Sequence, residues 1–187
     1  MKRELPFIAG LAYELVLLAV ALLWGQFFHC SAFAGFRWAW EDAGVGAVAV
    51  LPPLAFFLWT LKSKAAVFRR HQELLENLLR RVFANWPIIQ LLTLSLCTGI
   101  AEEALFRGAI QGSLAERIGP GLALVLGSLA FGAVHIVTWT YAIIAAFIGA
   151  YLGLLWTWTG NLLTPIVTHA VYDFCALVYF LKWYRKQ

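Results

Sequence analysis

Six ionisable side chains stand inside stretches that are otherwise apolar. Glu102, Glu103 and Arg107 lie in PIIQLLTLSLCTGIAEEALFRGAIQGSL, His135 in LAFGAVHIVTW, and His169 and Asp173 in LTPIVTHAVYDF. A carboxylate or guanidinium placed at the middle of a bilayer costs about 2.5–3.5 kcal/mol, so such groups must be paired, hydrated, or both. Glu103 and Arg107 are at i and i+4, the helical spacing that sets a carboxylate beside a guanidinium. Glu102 is rotated about 100° from Glu103 on a helix and stays clear of that pair. The expected division is one neutralised, structural carboxylate and one available for proton chemistry. His169 and Asp173 repeat the i, i+4 spacing on a third stretch. Ionisable residues in spans face a bundle interior or a wet cavity, and all six are predicted to meet there.

The set contains what peptide-bond hydrolysis requires: a base for water, an acid for the leaving amine and a donor for the oxyanion. Neither Ser nor Cys has to act as nucleophile. Glu102 with His135 would activate the water and His169 would stabilise the oxyanion, with Asp173 orienting His169 or accepting its second proton. Two other chemistries use the same residue types. His135, His169 and Glu102 are legitimate zinc ligands with an open fourth position, although the sequence has no H-E-x-x-H spacing and the Glu103–Arg107 pair brings a cation close. Intramembrane carboxylates and histidines also build the proton relays of coupled transporters, although no internal repeat marks an inverted-repeat architecture. A non-catalytic membrane scaffold or immunity protein is a further class. The favoured reading is metal-free hydrolysis with no cofactor.

The elements that must position these residues follow from composition. The chain has 187 residues, of which 62% are hydrophobic and only 13% charged, with a mean hydropathy of +0.78. A soluble domain of this size leaves too much surface wet to hide so much apolar side chain, so lipid must be part of the solvent. The fold class expected is all-α, a polytopic membrane helix bundle. Six stretches are long enough to cross a hydrocarbon core of roughly 30 Å, at 5–28, 43–61, 87–112, 121–140, 141–159 and 162–181. Pro52 and Pro53 predict a kink in the second, and Gly149 and Gly153 a close-packing face in the fifth. Trp38, Trp40, Trp139, Trp156, Trp158 and Trp183 fall near span ends as interfacial anchors. Glu14, in the first span, has no assigned role.

Segment 62–86 differs, with six basic residues (Lys62, Lys64, Arg69, Arg70, Arg80, Arg81) against two acidic ones, Glu73 and Glu76. Its apolar residues recur at helical spacing, predicting a basic amphipathic helix on the membrane surface. The expected organisation of the single domain, 1–187, is two N-terminal spans within 1–61, the basic segment at 62–86 and a catalytic core at 87–181. Basic residues mark the cytoplasmic side. Lys2 and Arg3, the 62–81 cluster, and Lys182, Arg185 and Lys186 agree if six spans leave both termini in the cytoplasm, with the chain in an inner or plasma membrane. A cleavable leader ending near Ala32-Phe33-Ala34 competes for the first span, but that span is long for one and contains Glu14. The net charge of +4 is local to these clusters, which excludes a nucleic-acid partner. Cys30, Cys97 and Cys175 are odd in number and widely spaced, so they predict neither a disulfide framework nor a thiolate metal site.

Glu102-Glu103-x-x-x-Arg107, Phe131-x-x-x-His135 and His169-x-x-x-Asp173 together resemble the three ordered motifs of the CAAX protease and bacteriocin-processing family (CPBP/ABI) of intramembrane glutamic endopeptidases. The resemblance covers about half of the chain. It implies a multi-helix fold around a conical cavity and cleavage near the C-terminus of a membrane-associated protein or peptide. By that resemblance Glu102 and His135 activate water, while His169 and Asp173 occupy the oxyanion-hole positions. Asp173 stands where the family usually has Asn, and an ionised Asp cannot donate a hydrogen bond, so orienting His169 is its expected part. By the same resemblance, relatives that process prenylated proteins typically have more helices than the six spans expected here, which sets a peptide or C-terminal sorting tail beside a prenylated substrate.

Overall fold

A computed structural model describes residues 5–183 of the chain. Its framework is helical, as the hydropathy demands: every backbone N–H and C=O at membrane depth must be satisfied within the protein. Helix α1 spans Leu5–Phe28. The second apolar stretch is two consecutive pieces, α2 (Trp40–Val48) and α3 (Leu51–Lys62). Pro52 and Pro53 fall in the first turn of α3, where a missing N–H costs least, so the predicted kink becomes a break at Ala49 and Val50. The basic segment forms α4 (Ala66–Phe83).

The third stretch is the longest, Ile88–Ile118. It begins as α5 (Ile88–Glu103), widens into a π-helical stretch at Ala104–Gln111 and ends as α6 (Gly112–Ile118). The fourth is shorter than its hydropathy indicates. Helix α7 is Pro120–Val134, 15 residues and so about 22 Å long at 1.5 Å per residue, below the roughly 30 Å of a hydrocarbon core. His135 closes α7 as its C-cap with φ −97° and ψ 19°, and therefore does not lie deep in a span as the 121–140 boundary places it. A tight turn, in which the Val137 N–H donates to the His135 carbonyl at 2.7 Å, leads to Thr138, whose hydroxyl accepts from the Tyr141 N–H (3.0 Å) and caps α8 (Trp139–Thr159). Gly160, left-handed at φ 63°, ends α8, and α9 (Leu163–Val178) follows. Among the described residues, five helical stretches are long and apolar enough to span a membrane, and α7 is a further, shorter apolar helix.

Helix α9 is the hub, touching α2, α3, α5 and α8, while α1 covers α5 and the π-helical stretch. Close approach depends on missing side chains. A Cβ on Gly153 would sit 2.6 Å from Gln111 Oε1, and one on Gly149 3.2 Å from Phe131, so the small-residue face of α8 is where α7 and the π-helical stretch pack. Leu15, Leu23, Phe27, Leu122, Leu129, Phe147 and Leu154 point outward and are exposed. An apolar rim of that extent belongs in lipid, and the protein is integral to a membrane. Trp38, Trp40, Trp139 and Trp158 are exposed near helix ends, as anchors should be, whereas Trp156 is half-buried. Lys2, Arg3, Arg185 and Lys186 and the side chain of Trp183 lie outside the described residues. Cys30, Cys97 and Cys175 are free thiols, each half-buried.

Candidate active site

The π-helical stretch begins immediately after the two glutamates. Ala104, Leu105, Phe106, Arg107, Gly108 and Ala109 are all buried, and π-helical insertions concentrate at functional sites because they re-aim side chains within a helix. Across it, Arg107 Nη1 donates to Glu103 Oε1 at 2.8 Å. Its Nη2 donates to the Gly149 carbonyl at 2.9 Å, and the guanidinium lies 4.6 Å from the Phe131 ring centroid. Arg107 and Glu103 are almost wholly buried, and this charge-assisted pair ties the third stretch to α7 and α8.

Glu103 does more than neutralise Arg107. The same Oε1 lies 2.7 Å from His169 Nδ1, so the bond from His169 to Glu103 is shorter than the 3.5 Å between His169 Nε2 and Asp173 Oδ2. The principal orienting partner of His169 is thus a carboxylate on another helix, and the i+4 residue Asp173 stands at the ring's opposite nitrogen. Spacing within one helix cannot reveal a partner on the next.

Glu102 turns to the other side of α5. Its Oε2 is 3.8 Å from His135 Nε2 and 3.9 Å from His169 Nε2, too far for a direct hydrogen bond and suited to an intervening water. His135 Nδ1 lies 2.7 Å from the Phe131 carbonyl. A carbonyl only accepts, so Nδ1 carries the hydrogen, and in the neutral ring Nε2 offers its lone pair toward Glu102. The Phe131 ring stacks on His135 at 4.5 Å, so Phe131 fixes this histidine by its carbonyl and its ring together.

Glu102, His135, His169 and Asp173 all border one cavity of about 280 Å³. All six residues singled out in the sequence are therefore brought together, four at the cavity and two behind it. The cavity wall is otherwise largely apolar, from Phe56 and Phe57 on α3, Leu75 and Leu79 on α4, and Ile144 and Ile148 on α8. Helix α4 thus turns part of its apolar face to the cavity, while Val67, Leu74 and Leu78 remain exposed. His71, on the same helix, borders the cavity and stacks on Tyr141 at 5.4 Å. Burial holds the His71 imidazole below its ordinary pKa. Sequence reasoning missed His71 and Tyr141 because each sits in a context that reads as amphipathic surface or span end. Among the described residues no group of three His, Cys, Asp or Glu side chains is arranged to hold a metal ion.

Residues 84–175 match the family described as type II CAAX prenyl endopeptidase, Rce1-like. The chain is also similar to the uncharacterized protein YpbD of Bacillus subtilis strain 168, at 28% identity over 140 residues, covering 73% of this chain and 66% of that protein. The chain thus spans just under two thirds of that relative's length. No solved structure matches. The matched segment holds all three motifs and the carboxylates and imidazoles gathered at the cavity, so residues 84–175 are an Rce1-like segment, similar to the type II CAAX prenyl endopeptidases.

Proposed function

We propose that the chain is an intramembrane endopeptidase that cleaves a membrane-associated protein or peptide near its C-terminus with water activated by Glu102 and His135. The observation that carries this reading is the placement of Glu102 Oε2 at 3.8 Å and 3.9 Å from two imidazole Nε2 atoms at the edge of an apolar cavity. A water between Glu102 and His135 gives up a proton to this pair as its oxygen attacks the scissile carbonyl. His169, held at Nδ1 by Glu103, directs Nε2–H at the developing oxyanion, where a preorganised donor acts most strongly. Asp173 holds that hydrogen in line until the oxyanion forms. The proton taken from water is then delivered to the leaving amine, and the C–N bond breaks. Glu103 and Arg107 support the histidine without touching the reacting atoms.

In this reading the reaction is metal-independent, the apolar wall receives apolar side chains, and the partners are the bilayer and the substrate, with no nucleic acid. Lipid-facing residues and the basic clusters support an inner or plasma membrane location with both termini cytoplasmic and α4 at the cytoplasmic surface. The test is mass spectrometry of membrane-protein termini in cells carrying the wild-type chain or Glu102→Gln. New C-termini that depend on Glu102 are the expected result. Identical termini in both strains would remove the protease reading and favour a non-catalytic scaffold.

A further inference from the structure

His71 lies on α4, outside residues 84–175 and outside the three motifs, yet it borders the same cavity as Glu102, His135, His169 and Asp173. It is 7% exposed, and its Nδ1 is buried with no hydrogen-bond partner among the described residues. An unpaired polar atom in a dry interior is costly, and native structures keep few of them. Glu102 Oε2, the oxygen that meets the water, is buried and unpaired in the same way. Glu14 on α1 is also buried, but Thr98 Oγ1 already donates to its Oε1 at 2.8 Å. An unpaired nitrogen on the cavity wall marks a place where a ligand can supply the partner that the protein withholds.

The imidazole is held in place by its neighbours. Its ring stacks on Tyr141, with centroids 5.4 Å apart and planes inclined by 25°, and the Tyr141 ring meets the His135 ring edge-on at 5.8 Å. The next residue, Gln72, donates through Nε2 to the Thr60 carbonyl, which ties this turn of α4 to the end of α3. The two ring contacts in series keep His71 within about 11 Å of His135, the length of three extended residues at roughly 3.3 Å each. A peptide with its scissile carbonyl beside Glu102 and His135 therefore has backbone amides within reach of His71. The charge of the ligand follows from the wall. Glu102 and Asp173 border the cavity, and among the described residues no lysine or arginine does, so an incoming carboxylate would meet like charge and no cation. A neutral amide suits the site, and burial, which disfavours the imidazolium, leaves His71 a neutral hydrogen-bonding ring. We infer that His71 is a substrate-binding residue that hydrogen-bonds a backbone amide of the peptide within three residues of the scissile bond. This role rests on the endopeptidase reading and gives α4 a second part, as a wall that holds the substrate main chain.

The experiment uses the full-length protein in detergent with a fluorescence-quenched library of apolar peptides, the best-cleaved member being carried into steady-state kinetics for wild type, His71→Phe and Glu102→Gln. Phenylalanine keeps an aromatic ring to stack on Tyr141 and removes the nitrogens. His71→Phe is expected to raise KM roughly three- to tenfold, the range of one hydrogen bond, with kcat unchanged. A series of analogues of the same peptide completes the cycle, each with one backbone amide among the three on either side of the scissile bond replaced by a trans-alkene. One analogue should raise the wild-type KM by a similar factor and raise that of His71→Phe no further, because variant and analogue remove the same bond. An unchanged KM in His71→Phe, or losses from variant and analogue that add at every position, would overturn the inference. If His71→Phe does not fold, His71→Ala enters the same cycle and the same two outcomes decide. Wild-type kinetics in His71→Phe, with cleavage abolished in Glu102→Gln, remove this inference alone. Absence of wild-type cleavage above the Glu102→Gln background removes the endopeptidase reading and this inference with it.

Discussion

The two faces of α5 at its C-terminal turn use the same chemistry at different spacing. Behind the helix, Glu103, Arg107, the Gly149 carbonyl and His169 Nδ1 are joined by contacts of 2.7–2.9 Å. In front of it, Glu102, His135, His169 Nε2 and Asp173 face one another at 3.5–3.9 Å. Adjacent glutamates thus belong to a closed network and an open one, and His169 bridges them with one nitrogen in each. The closed contacts offset part of the cost of placing charge in a dry interior, where a buried ion pair needs good geometry: Glu103 Oε1 takes both Arg107 and His169, while Glu103 Oε2 is buried with no hydrogen-bond partner among the described residues. The open contacts keep the space that a water and a peptide bond must enter. The lesson is that rigidity and vacancy are built one residue apart, by a helix that turns about 100° per residue.

The largest effect is expected from breaking the closed network. Arg107→Ala strands Glu103 in an apolar interior and loosens His169, and it should lower stability by about 3–5 kcal/mol and abolish cleavage; thermal unfolding in detergent and the yield of monodisperse protein measure the first part. A variant that melts with the wild type would mean that the closed contacts are not structural. His135→Ala removes an open-side group, so cleavage should fall roughly 10²- to 10⁴-fold while the unfolding midpoint stays close to that of the wild type. Asp173→Asn is expected to be milder. An amide can still accept from His169 Nε2–H, and at 3.5 Å the existing contact is long, so a loss of at most about tenfold in kcat is expected. Exhaustive chelation should change the rate least of all. Activity lost on chelation and restored by zinc would instead assign His135, His169 and Glu102 to a metal.

Much of this arrangement can be read from spacing. The i, i+4 rule places Arg107 on Glu103 and Asp173 on His169, and hydropathy identifies the apolar stretches and the basic segment that becomes α4. What spacing cannot carry is the cross-helix part: His169 on Glu103, Arg107 on the Gly149 carbonyl and Glu14 on Thr98 all join helices whose relative rotation is set by packing. The end of α7 was hidden for another reason. Ile136 and Val137 keep the sequence apolar across the junction, so hydropathy runs on where the helix has stopped, and only Thr138, a good N-cap residue three positions ahead of Tyr141, marks the start of α8. That shift changes His135 from a residue deep in a span to the cap of a short helix at the cavity. The π-helical stretch left no periodic signal either, because Ala104–Gln111 is buried nearly all round.

The claim that the two faces divide structure from chemistry is tested most directly by Glu102→Gln, a nearly isosteric change on the open side. Unfolding midpoint and peptide cleavage should be measured on the same purified sample. The account predicts an unfolding midpoint equal to or above that of the wild type, because a buried group no longer has to be kept in an ionisable form, together with cleavage reduced to background. A folded Glu102→Gln protein that cleaves at the wild-type rate would contradict it.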